Sequence, residues 1–186
     1  TKKKVFNVGQ NVPSGWPKTA ASQKKMRDFA KENNIDFWEG KGVCHQVMME
    51  NYVCPGELIF GADSHTCSYG ALGAFGTGVG CTDLLYGMVT GKSWVLVPET
   101  VKFNLVGKLP EGVYARDLIL TIIGTIGANG CNYQVMEFTG EGAKTLSISE
   151  RMVLCNMAVE AGAKTGIFEP DEKAIEYLEA HGRKPK

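Results

Sequence analysis

A chain of 186 residues that is 44% hydrophobic and 22% charged has the balance of a folded protein, with room for one ordinary domain or two small ones. Its 20 Lys and Arg cancel its 20 Asp and Glu, which leaves no basic field to gather nucleic acid or an anionic membrane surface. No apolar run approaches the roughly 20 residues needed to cross a bilayer, so small molecules or other proteins are the expected partners.

In chain order, Val5–Val8 predicts a short strand, and the stretch from Pro13 to Pro17 an irregular loop. Ala21, Met26, Phe29 and Ala30 are spaced for an amphipathic helix over 20–33. Asp36–Trp38 predicts a strand, Gly42–Gln46 a turn or strand end, and Leu58–Phe60 a buried strand leading into Gly61-Ala-Asp-Ser-His-Thr66. Five glycines between Gly70 and Gly80 permit close backbone approach, and a helical pattern follows over 82–90. Further strands are expected over 101–105 and 133–139, with a helix over 114–126 between them. Ser147 and Glu150 form a capping box that opens a helix expected to run to Gly162, a candidate C-cap. A last helix is expected over 171–180. Alternating strands and helices argue for a layered α/β domain, and a boundary near residue 96 divides the chain into 1–96 and 97–186.

The six cysteines, Cys44, Cys54, Cys67, Cys81, Cys131 and Cys155, are irregularly spaced, and no signal segment precedes them, so a reducing, cytoplasmic setting is expected. There is no CxxC and no HxxxH, hence no metal or cluster cage built from local sequence.

Asp63-Ser64-His65-Thr66 directly follows an apolar strand, and open α/β sheets place their ligand sites at strand ends. The segment offers an orienting carboxylate, hydroxyl donors and an imidazole that titrates near neutral pH. It is equally the composition of an Asx turn starting a helix. His45, between Cys44 and Gln46, reads by itself as a structural histidine. In the expected helix after the capping box, Asn156 and Glu160 are the polar residues between Arg151 and Lys164. Four apart, they would share one face and be shielded from water, so Glu160 needs a partner such as a histidine, or backbone groups in a purely structural role. The glycine run gives GxxGxGxG, which does not fit a dinucleotide fingerprint or a P-loop.

Seven blocks now fall into register: Gly42–Gln46, Pro55–Ile59, Gly61–Cys67, Gly70–Phe75, Pro98–Thr100, Glu137–Gly140, and Leu154–Ala158 with Glu160–Ala163. In order and spacing they resemble the large subunits of aconitase-superfamily hydro-lyases, most closely the 3-isopropylmalate dehydratase and homoaconitase group. The resemblance implies partial three-layer α/β/α domains of aconitase type. It implies the elimination and re-addition of water on a hydroxy di- or tricarboxylate, with a [4Fe–4S] cluster acting as a Lewis acid. It pairs His45 with Asp63 and His65 with Glu160 as catalytic groups, and gives Ser64 and Asn156 hydrogen bonds to substrate. A separate small subunit carrying a swivelling domain is the implied protein partner.

Two departures qualify the resemblance. The family carries an Asp-His dipeptide near the start of this region, where Gly9-Gln10 stands here; glutamine cannot transfer a proton, so turnover at least about a hundredfold below that with Asp-His is expected. The family's three cluster cysteines lie beyond Lys186, so the chain reads as less than half of a large subunit, without cluster ligands of its own. The rival reading is a non-catalytic aconitase-like module that binds a carboxylate or a protein.

Overall fold

Three phenylalanines lie side by side at the centre of the molecule. In the computed structural model, which describes residues 3–9 and 11–184, strands β5 (Thr100–Asn104), β6 (Val135–Thr139) and β7 (Thr165–Phe168) form a parallel sheet with β6 in the middle. Its register sets Phe103 beside Phe138 and Phe138 beside Phe168, with ring centroids 5.7 and 5.1 Å apart. Such same-face neighbours are the unit that stabilises a sheet, and Met136 and Phe138 are almost fully buried. Parallel strands need crossovers. Here α4 (Ala115–Ile126) makes the first, and α5 (Glu141–Thr145) with α6 (Ile148–Asn156) the second.

Two smaller parallel pairs precede this sheet. β1 (Val5–Val8) pairs with β2 (Asp36–Glu39) around α1 (Pro17–Glu32), and β3 (Leu58–Gly61) pairs with β4 (Phe75–Gly78). Between β3 and β4 runs a nine-residue 3₁₀ helix, Ser64–Leu72, whose residues from Thr66 onward are buried. Glycine makes that burial possible. A Cβ at Gly70 would fall on the carbonyl of Gly166 in β7, and one at Gly78 would lie 2.7 Å from the Asp63 carbonyl oxygen and 2.8 Å from Ser64 Cα. The glycine run thus serves close backbone packing, as its composition suggests. The mixed α/β class is as expected, and no helix among the described residues is long and apolar enough to cross a membrane.

Several local expectations change. Gly42–Gln46 leads into a helix, α2 (Cys44–Asn51), because Val47 and Met49 pack into the core. β4, β7 and α5 lack a sequence signal: two glycines in four residues hide β4, which forms because β3 completes its ladder. The capping box does form, Ser147 N–H donating to Glu150 Oε2 at 2.7 Å and Glu150 N–H to Ser147 Oγ at 3.3 Å. However, α6 stops at Asn156 and tightens into a second 3₁₀ helix, Met157–Ala161, closed by Gly162 at φ 81°. At three residues per turn Asn156 and Glu160 no longer share a face.

One core cluster draws Met49, Tyr69 and Leu72 together with Phe138, Leu154 and Leu178, from both sides of residue 96. By contrast α3 (Cys81–Thr90) has no buried residue. After its Gly91 cap, Trp94, Leu96 and Val97 are exposed by 82%, 66% and 86%.

Candidate functional site

The site is organised by the first 3₁₀ helix. Asp63 is its N-cap, and Oδ1 accepts from the His65 backbone N–H at 2.8 Å. The same oxygen lies 3.1 Å from Nε2 of His45, on the first turn of α2, and 3.4 Å from Nδ1 of His65. Oε1 of Glu160, from the second 3₁₀ helix, lies 3.4 Å from His65 Nε2, across a sequence separation of 95. The two imidazoles, 6.3 Å apart between centroids, therefore share Asp63, and His65 stands between two carboxylates. Ser64 Oγ is 3.4 Å from His65 Nδ1.

The pairs that the resemblance implies, His45 with Asp63 and His65 with Glu160, are thus within hydrogen-bonding reach. One expectation fails: the Glu160 side chain is 43% exposed, because the switch to 3₁₀ geometry turns it out of the helix face toward His65. Asn156 stands one step back. Its Nδ2 donates to Ser68 Oγ at 3.0 Å, and Ser68 Oγ in turn donates to the His65 carbonyl at 2.7 Å, so Asn156 ties the two 3₁₀ segments together behind His65.

Burial pulls the His45 imidazole below its ordinary value, against the opposing pull of Asp63, so the ring is neutral at neutral pH. Burial would raise the Asp63 carboxyl, but the His65 amide and the His45 imidazole outweigh it and hold Asp63 below the usual range. A neutral donor and an ionised acceptor make a stable pair. Beside them a cleft of about 380 Å³ opens between Thr77–Gly80 and the loop Gly162–Lys164, with Ser64 in its wall.

Sequence reasoning missed Tyr69 and Ser68. Tyr69 Oη lies 3.4 Å from His45 Nδ1, and the available signal was a tyrosine within a run of small residues, whose hydroxyl needs a partner once the ring is buried. Gln10 lies outside the described residues. Gly9 is packed so that a Cβ would fall on the Gly42 carbonyl oxygen, so an aspartate there requires the backbone to move.

Four of the six cysteines are placed as thiols and not as thiolate ligands. Iron–sulfur ligands are thiolates, yet burial pushes the Cys67 thiol up to about 12 and raises those of Cys131 and Cys155. Burial, reinforced by Asp63, also raises Cys44. Among the described residues no three His, Cys, Asp or Glu side chains are grouped to hold a metal ion.

The sequence pattern of the aconitase family (aconitate hydratase) matches residues 4–186. The chain is 52% identical over 177 residues to the 3-isopropylmalate dehydratase large subunit of Hydrogenobaculum sp. (strain Y04AAS1), covering 94% of this chain and 42% of that protein. It is 55% identical over 177 residues to large subunit 1 of the same name from Pyrococcus furiosus, with 93% and 42% covered. It is 50% identical over 184 residues to the probable 3-isopropylmalate dehydratase large subunit of Methanothermobacter thermautotrophicus, with 97% and 44% covered. It therefore spans less than half the length of these curated relatives. Since the family pattern covers nearly the whole sequence, the chain belongs to the aconitase family.

Proposed function

We propose that this chain forms part of the large subunit of a hydro-lyase that removes water from a hydroxy dicarboxylate and returns it in the isomeric position, with 3-isopropylmalate as substrate, as its relatives' names indicate. The observation that carries the reading is His65 held between Asp63 and Glu160, with a second imidazole on the same Asp63. Dehydration needs a base for the proton next to a carboxylate and an acid for the departing hydroxyl, and positioned groups of this kind contribute a factor of about 10² to 10⁴.

In this reading His65 carries the proton, and Glu160 and Asp63 hold its charge. His45 and Asp63 keep the second imidazole oriented, and Ser64 presents its hydroxyl to substrate in the cleft. Asn156 contributes indirectly, through Ser68. A [4Fe–4S] cluster would supply Lewis-acid help to the leaving hydroxyl. Its ligands would belong to the remainder of the large subunit, since no three His, Cys, Asp or Glu side chains are grouped to hold a metal among the described residues. We further assign the small partner subunit with a swivelling domain, a cytoplasmic setting, and a division of the longer protein near residue 96 that one shared core bridges.

The test is the complete large subunit with its small subunit, prepared without oxygen and assayed for the unsaturated intermediate by ultraviolet absorbance. Turnover is expected on 3-isopropylmalate. Preference for homocitrate or homoaconitate would reassign it as a homoaconitase. Tight binding of hydroxy acids without turnover on any would favour the binding-module reading, which the crowding at Gly9 supports.

A further inference from the structure

We propose that Tyr69 is a positioning residue that fixes His45 as the Nε2–H tautomer and holds its ring against Asp63; its importance for turnover rests on the acid–base reading above. The tyrosine ring is 4% exposed and tilted against His45, with centroids 5.8 Å apart. A buried phenol must place its hydroxyl proton, and the partner the structure supplies is His45 Nδ1 at 3.4 Å. On the other side of the ring, Nε2 meets Asp63 Oδ1 at 3.1 Å.

The directions follow from chemistry. An ionised carboxylate accepts hydrogen bonds and donates none, so Nε2 must carry the proton; the other tautomer would set a nitrogen lone pair against the carboxylate oxygen. Nδ1 of the neutral ring is then a bare acceptor, and Tyr69 Oη–H donates to it. The hydrogen bond at one ring nitrogen sets the state of the other. If His45 takes up a proton, the phenol rotates and accepts from Nδ1–H, so the ring keeps its orientation in both states.

The placement of Tyr69 is itself built. Asp63 caps the 3₁₀ helix that carries Tyr69, so one short element holds both nitrogens of a histidine that comes from α2. Room for the phenol ring comes from Gly76 in β4, where an added Cβ would lie 2.9 Å from Tyr69 Cδ2 and 3.1 Å from its Cβ. Among the described residues no side-chain hydrogen bond joins Tyr69 to His65 or Glu160, whereas one joins it to His45, which makes the tyrosine separable by substitution.

Tyr69→Phe removes the hydroxyl alone. The first measurement is nitrogen NMR of the histidine rings in the 186-residue chain. Wild type should show His45 with Nε2 protonated and Nδ1 hydrogen-bonded; in Tyr69→Phe the Nδ1 resonance should move toward that of an unbonded imidazole nitrogen. A wild-type ring protonated on Nδ1 overturns the proposal without any variant, and so does an Nδ1 resonance that the substitution leaves in place. The second measurement is the complete two-subunit protein carrying Tyr69→Phe. Turnover should fall about 10- to 100-fold, by analogy with groups that orient metal-bound histidines, with KM within about threefold; an unchanged kcat overturns the positioning role. If the NMR result holds while the wild-type complex acts on no hydroxy acid, the Tyr69 assignment stands and the hydro-lyase reading fails.

Discussion

Replacing Asp171 with alanine should destabilise the chain by about 3–5 kcal/mol for the buried charge it strands, and by about 1 kcal/mol more for the helix cap it removes. Arg151 is 1% exposed. Its Nη1 donates to Asp171 Oδ1 at 2.8 Å, Nη2 bonds Oδ2, and the guanidinium lies 5.4 Å over the Phe168 ring. Asp171 also caps α7 (Glu172–Ala180), accepting from the Ala174 N–H at 3.3 Å. Without the carboxylate, the guanidinium is a charge in the core whose Nε already lacks a partner among the described residues.

The two partners are not equivalent. Arg151→Met removes the buried charge and leaves Asp171, a quarter exposed, within reach of water, so it should be the milder change. Asp171→Ser keeps a capping oxygen and should recover only the cap's share. The Arg151 hydrogen bonds, with lesser help from charge, hold the Asp171 carboxyl below its ordinary range against the effect of burial. Its folded value lies below its unfolded value of about 3.9. The pair's stabilisation is therefore complete above that pH and is lost as pH falls through the folded value. Urea titrations of wild type and Asp171→Ala should converge in acid and stay apart at neutral pH. Equal stability of the two at pH 7 would show the pair to be dispensable.

In the proposed two-subunit hydro-lyase, Glu160→Gln or His65→Asn should lower kcat by about 10² to 10⁴, the range for a positioned acid or base. Substrate affinity should change far less for Glu160→Gln, because a carboxylate is not a group that would hold a dicarboxylate. Glutamine preserves the size and the hydrogen bond of Glu160 while deleting its charge, so the variant separates charge from packing. If the two act as one unit, the double variant should lose no more than the worse single one. Turnover within about threefold of wild type for Glu160→Gln would mean that the 3.4 Å contact is incidental.

The periodic parts of the fold were legible in the sequence. α1, α4, α7, β5 and the capping box of α6 announce themselves through apolar spacing and caps, and each forms within a few residues of expectation. β4 and β7 were not legible, since four residues of which two (β4) or one (β7) are glycine have no pattern of their own and depend on neighbours elsewhere in the sequence. The same physics explains the partial view of the site. Asp63, Ser64 and His65 are adjacent and stand at a strand end, so position betrays them, whereas His45 looks ordinary until α2 turns it toward Asp63. Glu160 was singled out by the right question, where its charge goes, but from a premise of burial that the 3₁₀ turn removes.

The two histidine pairs also differ in how they come into being. His45 and Asp63 are 18 residues apart, His65 and Glu160 are 95 apart, and loop-closure entropy makes the longer closure about 1.5 kcal/mol more costly in an unfolded chain. The near pair can be gathered by a local α2–β3 unit, while the far pair exists only once β5, β6 and their crossovers have assembled between its halves. Amide exchange should accordingly report faster opening around Met157–Ala161 than around α2, and the reverse order would mean that the late-sequence sheet folds first and serves as the template for the rest. On the expected order, a chain that has lost part of its folded structure keeps an oriented imidazole at Asp63 while His65 is already adrift from its second carboxylate.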